Sequence, residues 1–243
     1  PLRLEEAAAG KGSINSNSYC HNGEAKMKPI FDGVFEEDRR LYTLNSVPKQ
    51  KLFDEELLTV DGSEYRSWNP MRSKLAAAIV KGLPQLPIGK NSRVLYLGAA
   101  HGYTPSFISD IASEGVVFAV DFAPRVVRDL VFVAEKRKNI LPLLADANHP
   151  ESYYNLVGSV DIVYQDVAQK NQIEIFVKNC NMLLKPGGYG LLALKARSID
   201  VLQQPQGIFL AAKKELEKKF AVIDYRLLSP LQKDHAFFLS LKQ

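Results

Sequence analysis

Arg93-Val94-Leu95-Tyr96-Leu97-Gly98-Ala99-Ala100-His101-Gly102-Tyr103-Thr104-Pro105 decides the fold of this 243-residue chain. A short apolar run ends in two glycines and a small-residue loop. Thr104-Pro105 follows, a threonine N-cap and a proline suited to a first helical turn. The order predicts strand, Gly-rich turn, helix. Glycine has no Cβ, so such a turn lets a ligand approach the backbone closely, with amides free to point at it.

The spacing selects the ligand. The glycines stand as Gly98-x-x-x-Gly102, which leaves the G-x-G-x-x-G dinucleotide cradle incomplete, and no G-K-[ST] is present. A looser turn, with an acid at the end of the next strand, suits a nucleoside without a diphosphate. S-adenosylmethionine is the expected cofactor. Asp121 supplies the acid: it closes Val116-Val117-Phe118-Ala119-Val120, about twenty residues past the turn, where a carboxylate accepts both ribose hydroxyls.

Outward from this turn the chain alternates. Strands are predicted at Val94–Leu97, Val116–Val120, Ile140–Leu144, Val160–Tyr164, Tyr189–Leu194, Ala221–Leu227 and Ala236–Leu241, and helices beginning near Pro105, Pro124, Glu151, Asn171 and Pro205. Near-continuous apolar strands between helices indicate an α/β fold with a mostly parallel sheet covered on both faces. Leu228–Asp234 leaves no room for a crossover helix, so the last two strands must form an antiparallel hairpin. That layout is Rossmann-like and associated with methyltransferases. Upstream, Pro29-Ile30-Phe31, Gly33-Val34-Phe35, Arg40-Leu41-Tyr42-Thr43-Leu44 and Glu64-Tyr65-Arg66-Ser67 read as a small β-rich module over residues 27–68. Asn69 and Pro70 then open a helix that Gly82 ends, and the methyltransferase domain is expected over 69–243. Residues 1–26 lack any period and read as a flexible leader.

Composition excludes several classes. A hydrophobic fraction of 46% and a charged fraction of 24% are ordinary for a soluble protein, and no apolar run reaches the ~20 residues of a membrane span. No signal-peptide pattern opens the chain, so a cytoplasmic protein is expected. Cys20 and Cys180 lie far apart, and His21, His101, His149 and His235 lack ligand spacing, so no metal is expected. A net charge of +4 is compatible with RNA but too weak to argue for it, and a partner would have to supply much of the grip.

In an open α/β sheet, ligands sit beyond the carboxyl ends of the parallel strands. Those ends carry Gly98, Asp121, Asp146, Asp166 and Lys195, and the antiparallel last strand brings Asp234-His235 to the same edge. Phe122 is placed to pack on an adenine face. Asp146, followed by Ala147, is placed to accept the adenine amino group or to cap the segment after it. Asp166 would lie beside a sulfonium and orient an attacking hydroxyl. Lys195 leaves an apolar strand, where lysine is costly without a partner, and pairing with Asp166 or with an incoming ribose is expected. Lys195, Asp166, Asp234 and His235 form the candidate catalytic apparatus, with His235 as a proton relay. From the residues alone, a methyltransferase acting on an RNA base or on a protein side chain, and a non-catalytic assembly subunit, stay open.

Several stretches carry a resemblance. Leu95-Tyr96-Leu97-Gly98-Ala99-Ala100, Asp166-Val167-Ala168-Gln169, Lys195-Ala196-Arg197-Ser198-Ile199-Asp200 and Lys233-Asp234-His235-Ala236 resemble the fibrillarin family in its archaeal form. So does Tyr65-Arg66-Ser67-Trp68-Asn69-Pro70 with Arg72-Ser73-Lys74-Leu75-Ala76-Ala77-Ala78, and the likeness runs in order from about Met27 to Leu241. It implies an S-adenosylmethionine-dependent RNA ribose 2'-O-methyltransferase, the catalytic subunit of a box C/D guide ribonucleoprotein acting on rRNA and tRNA. The implied partners are a box C/D guide RNA with its target RNA, a Nop-family scaffold protein and a kink-turn-binding ribosomal-type protein. Cofactor contacts are implied at the Gly98-Ala99 and Gly102 turn, Tyr103-Thr104, Asp121-Phe122, Asp146-Ala147 and Asp166-Val167-Ala168-Gln169. The chain departs from the family at His101 and Tyr103, where Ser or Thr and Thr are usual, at Asp121, usually Glu, and at Lys170, usually Pro.

Overall fold

The computed structural model describes residues 26–243. Of the expected leader only Lys26 falls among them, and the rest of that segment lies outside the described residues.

The chain opens with β1 (Lys28–Phe31), β2 (Val34–Glu37), β3 (Arg40–Leu44), β4 (Leu57–Val60) and β5 (Ser63–Trp68). They form an antiparallel sheet in the order β1-β2-β3-β5-β4. Tight hairpins dictate the pairing: Asp38 and Arg39, then Asp61 and Gly62, all have positive φ, the pattern of two-residue type I′ turns. Strand β4 was not among the predicted strands. Its signal stood in the sequence as Asp61-Gly62, the commonest dipeptide of that turn together with Asn-Gly.

Helix α1 (Lys74–Val80) leads into the second sheet, built from β6 (Arg93–Leu97), β7 (Val116–Asp121), β8 (Ile140–Leu144), β9 (Val160–Gln165), β10 (Leu184–Lys195), β11 (Ala221–Leu227) and β12 (His235–Leu241). The seven strands lie in the order β11-β12-β10-β9-β6-β7-β8. All neighbours are parallel except β10 with β12 and β12 with β11, as the short Leu228–Asp234 connection required. Between the strands run α2 (Tyr103–Ile111), α3 (Pro124–Lys136), a 3-10 turn (Pro150–Ser152) with α4 (Tyr154–Val157), α5 (Gln172–Leu183), α6 (Ala196–Ile199) and α7 (Pro205–Glu217). Strand β10 begins earlier than the predicted Tyr189, and the helix expected near Glu151 is broken into two short pieces. No helix among the described residues is long and apolar enough to cross a membrane.

The central strands read as unbroken apolar runs because both faces are buried. Val94 and Tyr96 of β6 face one core with Val117, Ile162 and Phe237, which also takes in Val34, Leu41 and Trp68 from the small sheet. Leu95 and Leu97 face the other, against Phe176 of α5 and Phe209 of α7. Trp68 stacks on Phe107 of α2 at 5.1 Å, so the small sheet and the large one share apolar packing.

The two sheets also share a buried ionic cluster. Arg66 of β5 pairs with Glu55 at 2.9 Å and with Asp110 of α2 at 2.6 Å, all three side chains fully buried. Arg137, after α3, pairs with the other oxygen of Asp110 and donates to Asn45 Oδ1 at 2.8 Å. Buried charges survive only when paired and hydrogen-bonded, and here each carboxylate meets guanidinium on at least one side.

Two helix starts differ from expectation. Helix α1 begins at Lys74 with Ser73 as its cap, whereas Asn69 Oδ1 accepts from the Met71 amide in a local turn before the helix. Helix α2 is entered from Gly102 at φ +86, so Thr104 lies inside the first turn rather than at the cap. The positive φ of Gly102 lets the chain turn straight from loop to helix without a side-chain cap.

Candidate active site

The strand order reverses between β6 and β9: from β6 the chain moves to β7 and β8, then returns to place β9 on the other side. Loops diverge at such a switch point and open a crevice beyond the strand ends. Here it is a cavity of about 350 Å³ lined by Gly98, Ala100, Val120, Asp121, Phe122, Ala145, Ala147 and Asp166–Gln169. A larger hollow of about 410 Å³ lies between the small sheet and α1, lined by Arg40, Glu56, Trp68 and Tyr103. It holds none of the strand-end carboxylates of the parallel sheet, so the chemistry belongs to the smaller cavity.

Gly98 makes the crevice possible. Its φ is +80, and a Cβ there would stand 2.5 Å from the Asp166 carbonyl oxygen. The loop amides, however, do not point at a ligand as expected. Gly98 and Ala99 both donate to the Val120 carbonyl, at 2.9 and 3.0 Å, Ala100 donates to Asp121 Oδ2 at 3.0 Å, and Gly102 donates to the Ala99 carbonyl. These four donors are spent internally and are not free to cradle a phosphate. A ligand without a diphosphate fits it, and S-adenosylmethionine meets that condition.

The cavity walls match the rest of such a ligand. Each oxygen of Asp121 accepts one backbone amide, from Ala100 and Ala123, which locks the carboxylate and leaves further lone pairs for ribose hydroxyls. Phe122 is 65% exposed on the wall, an unusual position for a large aromatic and a natural platform for a purine. Gln169 Oε1 accepts from Asn148, whose amide groups also bond Asp146 Oδ1.

Several expected contacts lie elsewhere. Asp146 stands off the cavity wall, and the Asn148 amides that bond it hold its carboxyl below the usual range. Ala99 and Gly102 shape the turn from behind. Thr104 is buried and donates to Ser73 Oγ at 3.1 Å. Tyr103 turns toward the small sheet, where its hydroxyl accepts from the Asn69 amide at 3.3 Å and its ring carries the Arg72 guanidinium at 4.2 Å. Its ring packs against Phe53 and Phe107.

The expected Lys195–Asp166 pair does not form. Lys74 Nζ pairs with Asp166 Oδ2 at 2.8 Å, with the two side chains 26% and 19% exposed. Lys195 is exposed at the end of β10, so the burial that would demand a partner is missing. Its backbone is nonetheless fixed, since the buried Gln172 amide accepts from Lys195 N and donates to Lys195 O. Lys195 stands directly opposite His235 in the β10–β12 ladder. Asp234 points away, accepting from Arg197 Nε at 3.3 Å, and does not join the other candidates.

His235 Nδ1 lies 2.6 Å from the Lys233 carbonyl oxygen. A carbonyl only accepts, so Nδ1 carries the hydrogen and Nε2 keeps its lone pair. Burial chiefly pushes the imidazole below the ordinary histidine value; the Lys233 bond and Asp166 oppose this, while Lys74 and Lys195 add to it. Lys195 and His235 face each other at the end of the ladder, and Lys74, Asp166 and Lys195 all act electrostatically on that imidazole.

A model of the family described as Fibrillarin matches residues 23–243. The chain belongs to the fibrillarin family. A fibrillarin-like rRNA/tRNA 2'-O-methyltransferase of Methanocaldococcus jannaschii is 46% identical, with 90% of this chain and 97% of the relative covered. Among solved structures, Aeropyrum pernix fibrillarin in complex with natively bound S-adenosyl-L-methionine superposes with a TM-score of 0.79 at 42% identity, covering 89% of this chain and 99% of that one. A fibrillarin/Nop5p complex superposes at 0.82 with 39% identity, covering 89% and 100%. The fibrillarin match begins before β1 and reaches the last residue, so it takes in both sheets and every candidate residue above.

Proposed function

We propose that this chain transfers a methyl group from S-adenosylmethionine to the ribose 2'-hydroxyl of an RNA, rRNA or tRNA, selected by a box C/D guide. The observation that carries the reading is the Lys74–Asp166 pair at the cavity, on the same rim as a neutral His235. Bound in the cavity, the cofactor supplies an electrophilic methyl on a sulfonium. Asp121 and Phe122 hold its nucleoside part, and Asp166 sets a negative charge near the sulfonium.

A ribose hydroxyl is a weak nucleophile until oriented and relieved of its proton. Asp166, oriented by Lys74, receives the hydroxyl and lines it up for in-line attack. Lys195 presents its ammonium to the incoming sugar-phosphate. His235 Nε2 takes the hydroxyl proton, becoming imidazolium as the O–C bond forms and the S–C bond breaks.

The small net charge of +4 gives little grip on RNA, which favours an assembly. A Nop-family protein is the expected scaffold, in keeping with the fibrillarin/Nop5p relative. A guide RNA and a kink-turn-binding protein complete the proposed particle. Reconstitution with two guides of different sequence tests it: labelled methyl should appear at the nucleotide each guide pairs, and move when the guide is exchanged. Labelling independent of the guide would refute guided recognition.

A further inference from the structure

Ser73 and Thr104 sit behind the Lys74–Asp166 pair, off the cavity wall. Ser73 is fully buried and Thr104 nearly so. Ser73 has extended backbone, φ −137° and ψ 120°, and its Oγ accepts from the Ala76 amide at 3.3 Å, which makes it the cap of α1. The residue it launches is Lys74. Thr104 Oγ1, in the first turn of α2, donates to the same oxygen at 3.1 Å. Two accepted bonds fill both lone pairs of the Ser73 hydroxyl, one from each helix. Helix α2 in turn starts at the end of the loop whose Gly98 abuts the Asp166 carbonyl.

We propose that Ser73 is a positioning residue for methyl transfer: tied by Thr104 to the helix after the cavity loop, it fixes where Lys74 leaves the chain and so how its ammonium meets Asp166. The inference rests on the functional reading above. An uncapped helix frays through its first turn, and Lys74 is the first residue of that turn. Lysine has a long rotatable stem, so the placement of its Cα decides whether the ammonium stays on the carboxylate or swings to solvent. Because one oxygen receives both helices, the cavity loop and the Lys74 anchor keep a single relative position.

The test compares Ser73→Ala, Ser73→Thr and Thr104→Val in the complete assembly. Three quantities are read: single-turnover transfer, the cofactor dissociation constant by calorimetry, and the reactivity of the Lys74 amine toward reductive methylation by mass spectrometry. In Ser73→Ala, transfer should slow about tenfold or more, since a 1 Å misplacement costs up to ~100-fold. Lys74 reactivity should rise, and cofactor binding should stay unchanged. Ser73→Thr, which keeps a capping hydroxyl, should restore transfer. Thr104→Val keeps the shape and should show part of the loss, and it carries the test if Ser73→Ala does not fold. Wild-type transfer and wild-type Lys74 reactivity in the variants would overturn the proposal, whatever the melting temperature. A wild-type assembly that labels no RNA would instead refute the functional reading, before any variant is compared.

Discussion

Lys74 Nζ meets Asp166 Oδ2 at 2.8 Å, joining the first residue of α1 to the residue that follows β9. The partner of the active-rim carboxylate therefore comes from the helix that links the two sheets. Replacing Lys74 by Ala leaves Asp166 without its cation and free to rotate. Single-turnover transfer should fall by about 100-fold or more, the scale of losing one oriented electrostatic group. Cofactor affinity, measured by calorimetry, should change far less, because Lys74 does not line the cavity.

His235 sets the pH dependence. Its pKa lies below the ordinary value of 6.5, chiefly through burial, so the imidazole is neutral at pH 7 and gains a proton only as pH falls below that value. The single-turnover rate should fall in acid as Nε2 is protonated, with that limb lying lower than an ordinary histidine would give, while His235→Asn should be slow and lack it. The same depression gives the sign for stability. The unfolded chain binds the proton more readily, so this histidine's contribution is present above the unfolded pKa and is lost as pH falls through the folded one.

Phe122 separates binding from folding. At 65% exposure it contributes little to the core. Phe122→Ala should leave the melting temperature unchanged and weaken cofactor binding by about 1 kcal/mol, the scale of one aromatic contact. Calorimetric titration of S-adenosylmethionine measures it.

Gly98 does the reverse. A Cβ at φ +80 would drive into the Asp166 carbonyl, 2.5 Å away. Gly98→Ala should destabilise the fold by about 2–4 kcal/mol from backbone strain and overpacking. Urea denaturation should show the loss, and cofactor binding should disappear as the crevice shifts.

The buried cluster under the small sheet gives a prediction remote from the chemistry. Asp110 takes Arg66 on one oxygen and Arg137 on the other. Asp110→Ala would leave two guanidinium groups buried together, a cost of about 3–5 kcal/mol in urea unfolding.

The features that could be read from the residues were local ones. Gly98 and Gly102 announced the turn, the apolar runs announced strands buried on both faces, and the short Leu228–Asp234 connection forced the β11–β12 hairpin. Long-range pairings were beyond reach. Lys74 looks like any helix lysine until β9 delivers Asp166 to it. Lys195 followed an apolar strand, yet strand ends open onto the rim, and the side chain stands exposed there. Asn69-Pro70 carried a cap signal, yet Asn69 closes a local turn and Ser73, which also accepts from Thr104, caps α1. Tyr103 left the cavity because three aromatic and cationic neighbours, Phe53, Phe107 and Arg72, wait on the other side.

The proposed function assigns methyl delivery to a ribose oxygen to the rim of Lys74, Asp166, Lys195 and His235. The most direct measurement is the chemical position of the methyl group in the product of one turnover, in the complete assembly, by mass spectrometry and alkaline cleavage. A single 2'-O-methylated nucleotide, resistant to alkaline cleavage, is expected at the guide-paired position. Methyl on a base, on a protein side chain, or on no product despite bound cofactor would contradict it.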